Sequence, residues 1–446
     1  MRKPVVLSFV LYLSILLFGT GAAFAASSLQ QMIDDTEEGG VLIPPPGIYK
    51  EHIIIDKSIT IDGQGKVVID AGGVGTVLII ETDGATIAGM TLKNSGIIHN
   101  DVDAGVHVRG KFNVLRNNKI IDCLFGVDLS QSDNNLVKHN LFTSKERSLG
   151  LRGDAVRLWY SFENEITDNK ISNSRDFVVW YSDRNVIARN DIRNGRYGIH
   201  FMYAKNNKIE DNNIHKNSVG IFLMYSDDVV IRGNKIYHAL GAAGMGIGMK
   251  ESSNIDVIDN EILYSGLGLY MDVSPFQPDT TNRVYRNTFA FNRVGLQFHN
   301  DWHGNLIKEN IFRDNIRQVS VDGFAGATKN DWEGNFWDDY EGFDKNGDGV
   351  GDGVYEPRVY ADRLWMDVPD AAFFLGTPLL SLIDFLEKLA PFSEPLIMLK
   401  DEKPRFSPDF EYVTSQKTGQ IADEGAGTTQ QYDPFGLKDP TIGTVK

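Results

Sequence analysis

Cysteine is nearly missing. Cys123 is the only one in 446 residues, so no intrachain disulfide can form and stability must come from a packed core. It lies in the apolar stretch Ile120-Ile121-Asp122-Cys123-Leu124-Phe125, which favours a buried, inert thiol over a ligand or nucleophile. Without a cysteine pair, a soft metal would have to be held by methionine and histidine. Basic residues are also short, with 44 Lys and Arg against 60 Asp and Glu, a formal charge of −16. No basic stripe exists to neutralise phosphates, which excludes nucleic acid as a partner. The acidity is uneven: from Asp338 onward 21 acidic residues meet 10 basic ones, which marks a separate C-terminal region. Long apolar runs are scarce. One spans Val5 to Phe18, after Arg2 and Lys3 and before Ala23-Phe24-Ala25. It is too short for a confident membrane span and reads as a secretory signal peptide over residues 1–26.

What the chain has in abundance is a repeat. Asparagine, four or five residues, then Asn-x-Ile/Leu/Phe recurs, and the second asparagines fall at 118, 140, 169, 190, 212, 234, 260, 287 and 310. Eight steps cover 192 residues, a mean of 24. Each unit holds short β-branched and aromatic runs broken by Asn, Gly, Asp and Ser, which predicts short strands and turns. One coil of a parallel β-helix has this length, and like positions then stack roughly 4.8 Å apart. The asparagines at one corner form a ladder in which each amide bonds the next coil. The expected fold class is all-β, a right-handed parallel β-helix over residues 27–337 with about ten to twelve coils. Ser28 to Thr36 reads as a helical N-terminal cap. A leucine-rich repeat is excluded by the missing Leu-x-x-Leu-x-Leu frame.

Strand alternation then sorts side chains into inward and outward columns. With the coils aligned on the asparagine of each repeat and read from eight residues back, the middle coils place Leu158, Tyr160, Val179, Tyr181, His200, Met202, Phe222 and Met224 outward. Arg157 falls in the inward column, and nothing in the sequence explains it. An exposed apolar patch of this kind marks an interaction site. His200, Met202 and Met224 form a candidate Cu(I) site, because imidazole and thioether suit that ion. Two other readings stay open: docking contacts with no metal bond, and cover by the C-terminal segment of the same chain.

Several longer motifs carry a resemblance. They include Gly-Asp-Ala-Val-Arg-Leu-Trp-Tyr-Ser (153–161), Arg-Tyr-Gly-Ile-His-Phe-Met-Tyr (196–203) and Val-Gly-Ile-Phe-Leu-Met-Tyr-Ser (219–226). Trp-Glu-Gly-Asn-Phe-Trp-Asp-Asp-Tyr-Glu-Gly-Phe-Asp (332–344) and Leu-Ala-Pro-Phe-Ser-Glu-Pro (389–395) continue the series. In this order they resemble the NosD family of copper-maturation factors for nitrous oxide reductase, from the cap to about Pro404. The resemblance implies a periplasmic, non-catalytic scaffold assembled with an ABC permease and its ATPase. It also implies contact with a copper chaperone lipoprotein and with nitrous oxide reductase, and membrane contact only through the permease.

The C-terminal region, 338–405, holds two features. Asp344, Asn346, Asp348 and Asp352 space oxygen ligands as calcium loops do, with a plain Gly/Asp turn as the alternative. Pro378 to Leu389 reads as an amphipathic helix with Leu379, Leu382, Ile383 and Leu386 on one face. That face either packs on the last coil or, as the resemblance implies, docks on the permease. Residues 406–446 read as a disordered tail. The rival function is a secreted carbohydrate-active enzyme, a lyase, hydrolase or epimerase. It would need a carboxylate pair or a calcium-and-base cluster in an outer groove, where the sequence places Tyr, Met, Phe and Val instead.

Overall fold

The structure is a computed structural model that describes residues 28–241, 243–323, 325–359, 374, 377–390 and 395–408. The expected signal peptide and residues 409–446 lie outside the described residues. The described chain forms a parallel β-solenoid of about 13 turns, slightly more than the coil count predicted. A typical coil contributes three short strands, as in Val156–Trp159, Glu165–Thr167 and Lys170–Ser172. The first strand of each coil joins a twelve-stranded parallel sheet, and the other two join a 24-stranded one. The helix Leu29–Asp35 caps the first coil as expected; Ser28 accepts the Gln31 N–H, and Leu29 and Ile33 are fully buried.

Asparagine amides hold the coils in register. The Asn169 N–H and Nδ2 both donate to Asn190 Oδ1 at 3.0 Å, and Nδ2 also donates to the Val137 carbonyl at 2.9 Å. Asn190 repeats the pattern onto Asn212. A second ladder runs Asn113, Asn135, Asn164, Asn185, Asn207. These amides are buried, and no apolar side chain could satisfy the turn N–H groups they accept. Between the sheets the core is Ile, Val, Leu and stacked Phe, with Cys123 inside it. Burial pushes the Cys123 thiol up to about 12, in keeping with an inert group.

The main ladder ends in an unusual way. Its last amide, Asn335, has no asparagine beyond it. The Asp401 carboxylate takes that place, accepting from Asn335 N–H (3.0 Å), Asn335 Nδ2 (2.9 Å), Gly334 N–H (3.1 Å) and Trp337 Nε1 (3.2 Å). Tyr355 stacks on Trp337 at 4.4 Å and continues the aromatic column Phe289, Phe312, Trp337. Thus the acidic region does not begin as a separate body at Asp338: Tyr355 and residues 396–405 complete the last coil. Order extends past the predicted boundary, since the Phe406 N–H donates to the Gly349 carbonyl at 2.9 Å.

The chain leaves this cap at Val359 and returns at Leu396, where Arg358–Val359 and Leu396–Ile397 pair antiparallel. The helix Pro378–Leu389 forms as predicted within that excursion. Its apolar face does not pack on the last coil: Leu379, Leu382, Ile383 and Leu386 are 42–67% exposed.

Replacing Asp401 with Ala leaves buried donors of Asn335 and Trp337 without an acceptor. It should lower stability by about 2–4 kcal/mol, read as a fall in the urea midpoint. Asp401→Asn keeps one acceptor oxygen and should recover more than half of that loss. An unchanged midpoint in the Ala variant would refute the capping role.

Candidate functional site

The outer face of the twelve-stranded sheet carries the predicted patch, with one correction of register. Pairing aligns Arg157 with Val178, Val178 with His200, and His200 with Phe222. The next outward column is Trp159, Trp180, Met202, Met224 and then Lys250. Leu158 and Val179, expected to face outward, are fully buried and pair with the core column of Phe201 and Leu223. Asp176 pairs with Tyr197 but Val178 pairs with His200, a one-residue register shift within this strand pair that counting in a fixed frame overlooks. The shift also accounts for Arg157. It points outward, pairs with buried Asp128 at 2.7 Å and lies 5.0 Å from the centre of the Trp159 ring.

Sequence reasoning therefore missed Trp159 and Trp180 as surface residues. The signal was present at the other end of each strand, where Trp-Tyr-Ser, Trp-Tyr-Ser, Met-Tyr-Ala and Met-Tyr-Ser align without a gap. Those tyrosines, Tyr160, Tyr181, Tyr203 and Tyr225, form a stack with ring centroids 5.0, 5.2 and 4.8 Å apart. Each sits at φ near +50°, a conformation that side chains seldom adopt, and stacking helps to hold it. Tyr160 and Tyr203 remain about 45% exposed along the patch edge.

His200 is the centre of the patch. Its Nε2 lies 3.4 Å from Met224 Sδ, and Met202 is the direct cross-strand neighbour of Met224. Tyr197 stacks on the imidazole at 4.7 Å, with Phe222 and Trp180 at 6.2 and 6.4 Å. This enclosure drives the His200 pKa down to about 4 by desolvation, more than Asp176 can offset. The imidazole is neutral at physiological pH and keeps a lone pair for a soft acceptor. Beneath the same surface, the buried Trp180 Nε1–H has no acceptor among the described residues. The described C-terminal residues 395–408 do not cover the patch, since they pack on the last coil.

Farther along the same face the character changes. Tyr270 Oη lies 3.2 Å from His299 Nδ1, which lies 3.4 Å from Asp322, and Gln297 donates to Asp322 at 2.7 Å. Sequence reasoning did not bring these residues together, because 52 positions separate Tyr270 from Asp322. In the neighbouring column Lys250, which follows Met224, faces Asp272 at 3.8 Å.

The predicted calcium loop finds no support. Asp344 accepts from the N–H groups of Gly347, Asp348 and Gly349, and Asp352 accepts from Lys345, so the loop closes on itself. Among the described residues, no three His, Cys, Asp or Glu side chains are grouped to hold a metal. The Gly/Asp turn is the better description.

Comparison with known proteins decides the family. Residues 144–342 match the family model of the periplasmic copper-binding protein NosD. The "Probable ABC transporter binding protein NosD" of Pseudomonas aeruginosa is 31% identical over 389 residues, covering 80% of this chain and 88% of that protein. The chain belongs to the NosD family. The "Probable ABC transporter binding protein NosD" of Stutzerimonas stutzeri is 29% identical over 134 residues, 27% of this chain and 30% of that protein. Among solved structures, the A-module of mannuronan C-5 epimerase AlgE6 from Azotobacter vinelandii has a TM-score of 0.52 at 14% identity. It covers 68% of this chain and 93% of that module, a likeness that shows the fold alone. Among the described residues of this NosD-family chain, no helix is long and apolar enough to cross a membrane.

The depressed His200 pKa has a sign that can be checked. Unfolded histidine takes its proton near 6.5, above the folded value of about 4, so stability falls as pH drops from 6.5 towards 4. In an NMR titration the His200 Cε1–H shift should stay flat from pH 8 down to about 5. A midpoint near 6.5 would show that the ring is not enclosed.

Proposed function

We propose that this chain is a periplasmic, non-catalytic scaffold on which copper passes towards the copper–sulfur centre of nitrous oxide reductase. A secretory signal peptide at residues 1–26 would deliver it there. In this reading the copper chaperone lipoprotein and then the reductase approach the patch around His200, and an ABC permease with its ATPase holds the scaffold at the membrane. The family description as a periplasmic copper-binding protein and the relatives' names as ABC transporter binding proteins support this reading.

The observation that carries it is the contact between His200 Nε2 and Met224 Sδ, with Met202 alongside. A neutral imidazole and two thioethers suit Cu(I), and core stability requires no methionine on an outer face. Copper here is cargo. A half-enclosed site with few ligands fits an ion that must arrive and leave. Trp159, Trp180, Tyr160, Tyr181 and Phe222 surround it with the aromatic groups that protein interfaces favour. Membrane contact runs through the helix Pro378–Leu389, whose uncovered leucines would seat on the permease.

The triple change of His200, Met202 and Met224 to Ala should leave the thermal midpoint within a few degrees. The purified variant should lose Cu(I) binding in a competition titration, and reductase made beside it should lack its full copper complement. Lost chaperone contact with retained Cu(I) binding would recast the patch as a docking surface. Fully loaded reductase would refute both. Independently, changing Leu379, Leu382, Ile383 and Leu386 to Ser should leave the solenoid's circular dichroism unaltered and abolish co-purification with the permease. Normal co-purification would remove the helix from the docking role.

A further inference from the structure

One coil is longer than its neighbours. The ladder step from Asn140 to Asn169 is 29 residues, where the adjacent steps are 22 and 21. The added residues swing out at 144–153, Ser-Lys-Glu-Arg-Ser-Leu-Gly-Leu-Arg-Gly, with one 3-10 turn at Leu149–Leu151. Solenoid loops of this kind are where binding sites are built. Between the loop and the coils beside it lies a cleft of about 970 Å³.

Its walls are rich in hydrogen-bond donors. Lys145, Arg147, Arg152 and Ser148 line it; Ser144 does too, but its hydroxyl already donates to the Leu124 carbonyl at 3.0 Å. Lys145 is only 8% exposed, yet its ion-pair partner Asp122 stands 3.6 Å away with a side chain 57% exposed. That separation is beyond a good charge-assisted hydrogen bond. An ammonium so loosely paired keeps donors for another acceptor. The Arg152 Nε donates to the Arg147 carbonyl at 2.8 Å, which fixes the loop and sets the two guanidinium groups beside one cleft. Among the described residues, neither the Arg147 guanidinium nor the terminal nitrogens of Arg152 meet an acceptor. Asp122 and Glu146 also line the cleft, so its three cations outnumber its carboxylates by one in a chain whose net charge is −16. Local positive charge against that background concentrates anions.

We infer that this cleft binds a small, multiply charged oxyanion of the sulfate or phosphate class, free or carried on a small organic body. Two guanidinium groups and an ammonium match such oxygens. The volume exceeds that of a bare ion and leaves room for a carrier. The cleft is built on the 24-stranded sheet and the loop, not on the His200 face, so this site stands or falls separately from the copper reading.

The test is calorimetric titration of the purified chain with sodium sulfate, inorganic phosphate and glycerol 3-phosphate at constant ionic strength. Saturable binding at one site per chain is expected. Arg147→Gln and Arg152→Gln should each weaken it about ten-fold or more, the loss of one charge-assisted hydrogen bond. Both arginines are partly exposed, so the thermal midpoint without ligand should move little, and Arg147→Gln, which keeps the Arg152 Nε bond that fixes the loop, is the cleaner variant. Lys145→Met should weaken binding further; because it alters a buried group, the arginine variants carry the test. Glycerol 3-phosphate binding ten-fold tighter than phosphate would support a carried oxyanion, and equal affinities would support the free ion. No saturable binding of any of the three at concentrations on the order of 10 mM, or binding unmoved by both arginine variants, would overturn the inference.

Discussion

Everything in this molecule rests on a buried amide that faces two coils at once. A solenoid has no closed core of its own in any single turn; each coil buries its faces only against the next. At the corner occupied by Asn169, Asn190 and Asn212, the turn leaves a backbone N–H that no strand can satisfy. The asparagine Oδ1 of the following coil accepts it, and the same side chain's Nδ2 reaches back to a carbonyl. One residue type thereby fixes the spacing, the register and the direction of stacking. Leucine there would leave donors buried and unpaired.

Exact stacking has a functional result. Because coils repeat in register, side chains far apart in sequence become neighbours in straight columns. His200 and Met224 meet across 24 residues, and four tyrosines stack from Tyr160 to Tyr225. The apolar, methionine-bearing half of the face and the Tyr270–His299–Asp322 half follow one another along a single sheet. A long flat surface divided in this way can engage a partner with apolar contacts at one end and polar ones at the other.

The fold was legible in the sequence because its signal is an exclusion: few other residues can do what a buried ladder asparagine does. The cap helix at Ser28 was legible for a similar local reason, a side-chain oxygen ahead of an apolar pair. The candidate site was legible only in part. Alternation placed His200, Met202, Phe222 and Met224 correctly, but counting a fixed distance back from the repeat asparagines overlooked the one-residue shift at Asp176 and turned Leu158 and Val179 the wrong way. Periodicity carries no mark of a one-residue bulge; a fixed turn such as Tyr-Ser does, because both residues are committed to the ladder at the corner. Asp401 was illegible for another reason. Nothing local distinguishes a carboxylate that will stand in for an asparagine 66 residues away.

That distance sets an order of events. A chain is synthesised from its amino end, and coils can form as soon as each has a predecessor. The final asparagine must then wait for a segment made 66 residues later, after the whole stretch between Val359 and Leu396. Until Asp401 arrives, the growing stack ends in an open edge that offers unpaired N–H groups to any passing strand. A product cut short anywhere in the excursion would keep that edge and be marked by it for aggregation or proteolysis. The cap thus doubles as a completeness check: only a chain that has been read through the helix Pro378–Leu389 can close its own end.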